Sequence, residues 1–228
     1  MPTTELFNDI APNYDRLNRL MSLWQDLRWR RKAVKQLCDG LTQGATVVDV
    51  ATGTADMAIA IAKAQPDSKV VGIDLSPAML QVGREKVHAA GLDGQIIMKE
   101  GDAMSLPMPD GVADAVCVAF GMRNFDDLDA GLREMRRVLR KGGKLVALEL
   151  SYPDSPVLTA LYKLYALHII PLACGLLSGN RKAYRYLPHS ILRFPKPEEL
   201  SPRLMKAGFS NINDTSLTLG VCRLYQAS

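Results

Sequence analysis

The chain has 228 residues and a formal net charge of +4, with 47% hydrophobic and 23% charged residues. That balance is near the globular average, supports one sizeable core and is too weakly basic to argue for nucleic acid. The four cysteines, Cys38, Cys117, Cys174 and Cys222, include no CxxC pair, which argues against a disulfide framework or a zinc site and leaves buried thiols in a reducing compartment as the expectation.

The opening MPTTELFNDIAPNYD has no basic segment followed by an apolar stretch, so no secretory leader is expected. Residues 1–40 read as a helical cover. Within them Leu17, Leu20, Met21, Trp24 and Leu27 recur at three- and four-residue spacing and predict two helical pieces between Asn13 and Leu37. Thr46–Val50 (TVVDV) is a β-branched run with the look of a buried strand, followed by the turn ATGTAD and a helix from Met57 to Lys63. The pattern then repeats. Lys69–Asp74 is a strand, and Ser76-Pro77 caps and opens a helix to His88. Gln95–Lys99, Asp114–Ala119 and Lys144–Leu150 are further strands. A helix runs from Asp126 to Leu139, with Lys141-Gly142-Gly143 as its end.

Alternating strands and helices predict an α/β, doubly wound, mostly parallel sheet in a single domain over 1–228. After Ser151 the rhythm breaks, and 152–195 reads as an inserted helical and basic segment. Its apolar run Val157 to Leu177 contains Lys163, His168 and Pro171, too many interruptions for a membrane span. A core or subunit-contact helix, a membrane-interface helix and the wall of an apolar channel all fit it. Arg181, Lys182, Arg185 and Arg193 follow. A helix from Pro197 to Ala207 and two strands between Phe209 and Tyr225 complete the chain, for seven strands in all.

The first strand carries Asp49 near its end, and Gly53 permits the tight turn that brings backbone to a ligand. Asp74 ends the next strand, placed to accept hydrogen bonds from ribose hydroxyls. A dinucleotide site wants G-x-G-x-x-G for its pyrophosphate. Here the pattern is Asp49-x-Ala51-x-Gly53-x-Ala55 followed by Asp56, an acidic surround that suits a cationic sulfonium and so S-adenosylmethionine. Gly101-Asp102-Ala103 follows the third strand. Asp102 is read either as an acceptor for the adenine amino group or as a turn cap. No metal cluster is visible.

Four segments carry a resemblance. They are Phe7 to Trp29 (FNDIAPNYDRLNRLMSLWQDLRW), Phe120–Asn124 (FGMRN), Arg137–Ser151 (RVLRKGGKLVALELS), and Tyr186-Leu187-Pro188 with Ser190 and Phe194-Pro195. In this order they resemble the menaquinone/ubiquinone biosynthesis C-methyltransferase family, within the class I, Rossmann-like methyltransferases. The resemblance implies cofactor contacts at Thr54, Asp74, Asp102 and Ala103, and a helical substrate lid. It also implies a polyprenylated quinol substrate, with demethylmenaquinol favoured over a benzoquinol. The chain departs from the family at several points. Ala55 replaces a common glycine, which is tolerable if its φ stays negative. Asp26 replaces a histidine, Arg140-Lys141 replaces Lys-Pro, and Ala119 stands where a hydroxyl residue can touch the cofactor.

Methylating a ring carbon requires a phenolate that pushes electrons onto that carbon. Arg123, always charged, is assigned to phenolate stabilisation. Asn124 is assigned to orienting the hydroxyl or a water, and Tyr14 to closing over the site. The competing readings are a surface salt bridge from Arg123 to Asp126 or Asp127 and a core role for Tyr14. His168 is read as a core histidine, and His189 as a possible pocket residue. A cytoplasmic enzyme is expected, held peripherally at the inner membrane face by its basic segment, with a homodimer open. A soluble-substrate methyltransferase and a noncatalytic cofactor-binding assembly subunit stand as the alternatives.

Overall fold

A computed structural model describes residues 3–153, 155–165, 167 and 188–228. Three helices open the chain: α1 (Thr3–Ile10), α2 (Tyr14–Met21) and α3 (Gln25–Cys38). Next come β1 (Thr46–Val50), α4 (Asp56–Ala64), β2 (Lys69–Asp74), α5 (Pro77–Ala89), β3 (Ile96–Glu100) and β4 (Ala113–Ala119). A 3-10 turn at Met122–Asn124 leads to α6 (Leu128–Val138), β5 (Leu139–Leu150) and α7 (Pro156–Leu164). After a helical turn at 188–193, α8 (Pro197–Lys206), β6 (Asn213–Leu217) and β7 (Cys222–Ala227) finish the fold.

The seven strands lie in the order β3-β2-β1-β4-β5-β7-β6, with β7 antiparallel to both neighbours and every other pair parallel. Helices cover both faces, so the central strands are apolar on both sides. In β1 the two-residue alternation sends Val47 into one core with Trp29, Leu37 and Ile61. It sends Val48 and Val50 into the opposite core with Leu132, Met135 and Leu204. Cys117 and Cys222 are buried thiols within β4 and β7. Ser76 caps α5 as expected, its side chain accepting from the Met79 N–H at 3.2 Å.

Two local expectations are corrected. The helix α6 ends at Val138, because Leu139 is drawn into extended pairing with Ala113 of β4. The glycines after Lys141 therefore form an irregularity inside β5, where Gly142 takes a φ of +76°, and they do not stop a helix. Ala55 does not keep negative φ. It sits at +66° as the residue before α4 and is fully buried. Relief of a left-handed alanine is offset by loss of a buried methyl group, so Ala55→Gly should change stability by no more than about 1 kcal/mol. Ala55→Val, branched at a left-handed position, should cost about 2–3 kcal/mol. Urea midpoints of the two variants check this, and equal stabilities would contradict the strained conformation.

Of the run from Val157 to Leu177, the described part is α7 with Tyr165 and Leu167. Val157, Leu161 and Leu164 are exposed, so this part is no core helix. His168, Pro171, Cys174, Arg181, Lys182 and Arg185 lie outside the described residues. No helix among the described residues is long and apolar enough to cross a membrane.

Candidate active site

The strand order reverses between β1 and β4, and the crevice beyond their carboxyl ends is where an open α/β sheet binds ligands. A cavity of about 330 Å³ lies there. The β1 turn builds its floor with alternate residues in the left-handed region, Ala51, Gly53 and Ala55 at φ of +52°, +56° and +66°. The Gly53 N–H donates to Asp74 Oδ2 at 2.8 Å, and the Ser76 N–H donates to Asp74 Oδ1 at 2.9 Å. One carboxylate thus fixes both the β1 turn and the start of α5. Burial pushes the Asp74 carboxyl up from its ordinary value, against the pull of these backbone donors. Gly121 keeps the cavity open, because a Cβ there would lie 2.6 Å from the Ala51 methyl group.

Gly53, Asp74, Asp102, Ala103, Ala119, Asn124 and Tyr14 all line this cavity. Asp102 lines the cavity and is also a turn cap, accepting from the Met104 N–H at 2.8 Å. Two expected contacts are placed elsewhere. Asp49 is buried beneath the turn, where it accepts from Thr52 Oγ1 at 2.6 Å and from Cys117 Sγ at 3.2 Å. The Thr54 hydroxyl donates to Asp15 Oδ1 of α2 at 2.5 Å. Asp56 likewise does not face the cavity. It pairs with Arg19 and, at 2.6 Å, with Lys86, and these cations with Arg30 hold its carboxyl down at about 2.

The electrostatic argument for a cationic ligand therefore rests on other residues than those expected. Among the described residues, Asp74, Asp102 and Asp126 line the cavity, and no lysine, arginine or histidine does. A sulfonium with an amino group fits such a surround, and a pyrophosphate does not. Asp74 at the end of β2 and Asp102 with Ala103 just after β3 lie on the same wall of the cavity. Thr4, Phe7 and Tyr14 roof the cavity from the N-terminal helices. Asn8 Oδ1, accepting from Ser76 Oγ at 2.6 Å, and the Asp15–Lys86 ion pair fasten that roof.

Burial pushes the Asp49 carboxyl up to about 6, although the Thr52 and Cys117 contacts oppose the shift. Because the folded value exceeds the unfolded one, folding favours the protonated form. That stability is fully present below about pH 4 and is lost as pH rises through about 6, a swing of about 3 kcal/mol. Asp49→Asn should therefore gain on the wild type as pH goes from about 4 to about 7.5. Urea midpoints across that range test it, and a constant difference between the two proteins would remove Asp49 as the cause.

A second chamber, of about 220 Å³, meets the first at Tyr14 and Phe120, which line both. Its surface is mostly apolar, with Met21, Trp29, Leu150, Ile191 and Val221 among its walls, and Arg30, Arg123, Asp26 and Gln25 are among its polar groups. The partition residue Phe120 holds a left-handed φ of +64°, and its N–H is pinned to Leu148 O at 2.8 Å. Arg123 Nη1 donates to the Phe120 carbonyl and, at 2.7 Å, to Glu149 Oε1. Glu149 also accepts from the Arg123 N–H at 3.1 Å and is itself fully buried.

The ion pair of Arg123 is thus an interior one with Glu149, not a surface pair with Asp126 or Asp127. Glu149 is the site residue that the sequence reading missed. The available signal was a lone carboxylate inside the apolar strand run KLVALEL, since such a charge needs a partner. Asp26 is buried in a cluster with Arg19 and Ser22. His189 is exposed and lines neither chamber.

A model of the ubiE/COQ5 methyltransferase family matches residues 2–228. The demethylmenaquinone methyltransferase of Thermus thermophilus is 44% identical over 220 residues, 96% of this chain and 98% of that one. The ubiquinone/menaquinone biosynthesis C-methyltransferase UbiE of Geobacter sulfurreducens is 43% identical over 222 residues, 97% of this chain and 86% of that one. Among solved structures, a SAM-dependent methyltransferase of Thermotoga maritima, described as a possible histamine N-methyltransferase, superposes with a TM-score of 0.68. It is 20% identical and covers 99% of this chain and 98% of its own, a likeness of fold alone. With the acid-lined crevice at the sheet's switch point, these likenesses carry one conclusion: the chain belongs to the ubiE/COQ5 methyltransferase family and is an S-adenosylmethionine-dependent C-methyltransferase.

Proposed function

We propose that this enzyme methylates a ring carbon of a polyprenylated quinol, converting demethylmenaquinol to menaquinol. The observation that carries this reading is the pair of chambers with unlike linings, acidic on one side and apolar on the other, sharing a wall at Tyr14 and Phe120. The cationic donor belongs in the first, held by Asp74, Asp102 and the Gly53 turn, and the ring with its tail belongs in the second. When bound, S-adenosylmethionine supplies an electrophilic methyl group.

The chain's own residues prepare the acceptor. Glu149 and the Phe120 carbonyl hold the Arg123 guanidinium in place, so its positive charge is pre-aimed at a phenolate oxygen and needs no reorganisation. Asn124, beside it and on the wall of the first cavity, orients the hydroxyl or a water that leaves with the proton. Tyr14 excludes water from the junction. Holding a nucleophilic carbon in line with the donor contributes up to about 7–11 kcal/mol of barrier lowering in well-aligned cases.

The lipid-soluble substrate also calls for peripheral contact with the inner membrane face. The exposed side chains of Leu23, Trp24, Val157, Leu161 and Leu164 support it.

The test is transfer of a labelled methyl group to reduced demethylmenaquinone, to the benzoquinol precursor and to a soluble phenol. Transfer to the naphthoquinol is expected. Transfer only to the soluble phenol would favour a small-molecule enzyme. Binding of the cofactor without any transfer would favour an assembly subunit.

A further inference from the structure

The apolar chamber contains a second guanidinium that the chemistry above does not use. Arg30 projects from α3 into its lining, and its side chain is 11% exposed. It makes no hydrogen bond among the described residues, and its buried Nε has no acceptor. Its nearest carboxylate oxygens, Asp26 Oδ2 and Asp56 Oδ2, are each 3.9 Å from Nε, beyond hydrogen-bond reach. Both carboxylates have closer partners. Asp26 takes Arg19 and the Ser22 hydroxyl at 2.8 Å, and Asp56 takes Arg19 and Lys86.

Arg30 therefore has its charge balanced and its donors unspent. Asp15, Asp26 and Asp56 offset Arg19, Arg30 and Lys86 within one cluster, while the donors of the planar Arg30 fork, its buried Nε among them, make no hydrogen bond among the described residues. The guanidinium lies 5.1 Å from the centroid of the Phe120 ring, on the partition between the chambers. Burying such donors unpaired is costly, and the chamber occupant is the group that can supply their acceptor.

We propose that Arg30 recognises the second ring oxygen of the substrate, the one across the ring from the oxygen that Arg123 serves. The inference rests on the quinol reading above. Among the described residues Arg30 and Arg123 both line the apolar chamber and neither lines the first cavity; Arg123 is followed by Asn124, which does line that cavity, so Arg123 takes the oxygen next to the methylated carbon and Arg30 takes the other. Two guanidiniums on one chamber would then select a 1,4-dihydroxyarene over a monohydroxy one, as a site built for an oxygen rejects a ligand without it.

The experiment compares a short-chain prenylated 1,4-dihydroxynaphthalene with the matched 1-naphthol lacking the far oxygen. Both are measured by competition at the acceptor site of the wild type, Arg30→Met and Arg30→Lys, with cofactor affinity and thermal midpoint recorded alongside. The wild type is expected to prefer the diol by about 100-fold, and Arg30→Met to reduce that preference to about threefold with cofactor affinity retained. Arg30→Lys keeps the cluster's charge balance and is expected to restore the midpoint with only part of the preference. Equal weakening of both ligands in Arg30→Met, or in Arg30→Lys where the methionine variant does not fold, would make Arg30 a structural partner of Asp26 and Asp56 and overturn the inference. A wild type that binds the diol no better than the mono-ol would overturn it too. A wild type that methylates no quinol at all would instead remove the substrate reading beneath it.

Discussion

Asp74→Ala should lose affinity for S-adenosylmethionine by about 100-fold or more while keeping its fold. Charge-assisted hydrogen bonds contribute about 1.5–3 kcal/mol each, and removing this carboxylate deletes the proposed acceptor for two ribose hydroxyls. It also releases the Gly53 and Ser76 N–H groups that Asp74 holds at 2.8 and 2.9 Å, so the β1 turn loses its fixed shape. Both donors belong to residues that line the cavity, and the global stability should fall less than the affinity. Calorimetric titration with S-adenosylhomocysteine measures the first effect and a urea midpoint the second. An affinity within threefold of the wild type in a folded protein would move the cofactor away from this strand end.

Glu149→Ala should destabilise the protein by about 3–5 kcal/mol, a large fraction of the stability of an ordinary domain. Glu149 is fully buried, and the Arg123 side chain is 7% exposed, so the deletion takes a buried carboxylate away from an interior cation. It also removes the acceptor for the Arg123 N–H. Arg123→Met alone should cost a similar amount by stranding the carboxylate. The double variant Glu149→Leu with Arg123→Met, apolar on both sides, should recover much of the loss, since a buried pair is often no more stable than a well-packed apolar replacement. Methyl transfer should stay abolished in the double variant, because the phenolate loses its fixed donor. Denaturation of the two singles and the double settles the coupling. Additive losses would mean that the pair does not act as a unit.

Much of the scaffold was legible because its signals are local. The strands Thr46–Val50 and Lys69–Asp74 were readable to the residue from β-branched runs, and the Ser76-Pro77 cap from its own chemistry. The spacing from Gly53 to Asp74 was a fair guide because one hydrogen bond closes it. What failed was set by tertiary partners. Leu139 is extended because Ala113 lies beside it, and no local pattern records that neighbour. Ala55 is left-handed because α4 must start at a fixed angle beneath the turn, although alanine has no preference for such a φ. Thr54 and Asp56 are turned toward Asp15, Arg19 and Lys86, which arrive from α2 and α5. The apolar chamber collects residues from α2, α3, the Met122–Asn124 turn, α7 and the β7 approach, so neither it nor the Glu149 pairing could be assembled from spacing in sequence.

The shared wall at Tyr14 and Phe120 bears on inhibition. Two cavities of about 330 and 220 Å³ that touch along one partition present a single elongated receptor to a molecule long enough to enter both. A nucleoside carrying a positive centre, tethered to an aryl group with a short alkyl tail, would bind its second half at the effective concentration set by the tether. Modest affinity at each end would then multiply. Methyltransferases whose acceptor pocket is polar would gain nothing from the greasy half, so selectivity would come from the tail while the nucleoside supplied the anchor.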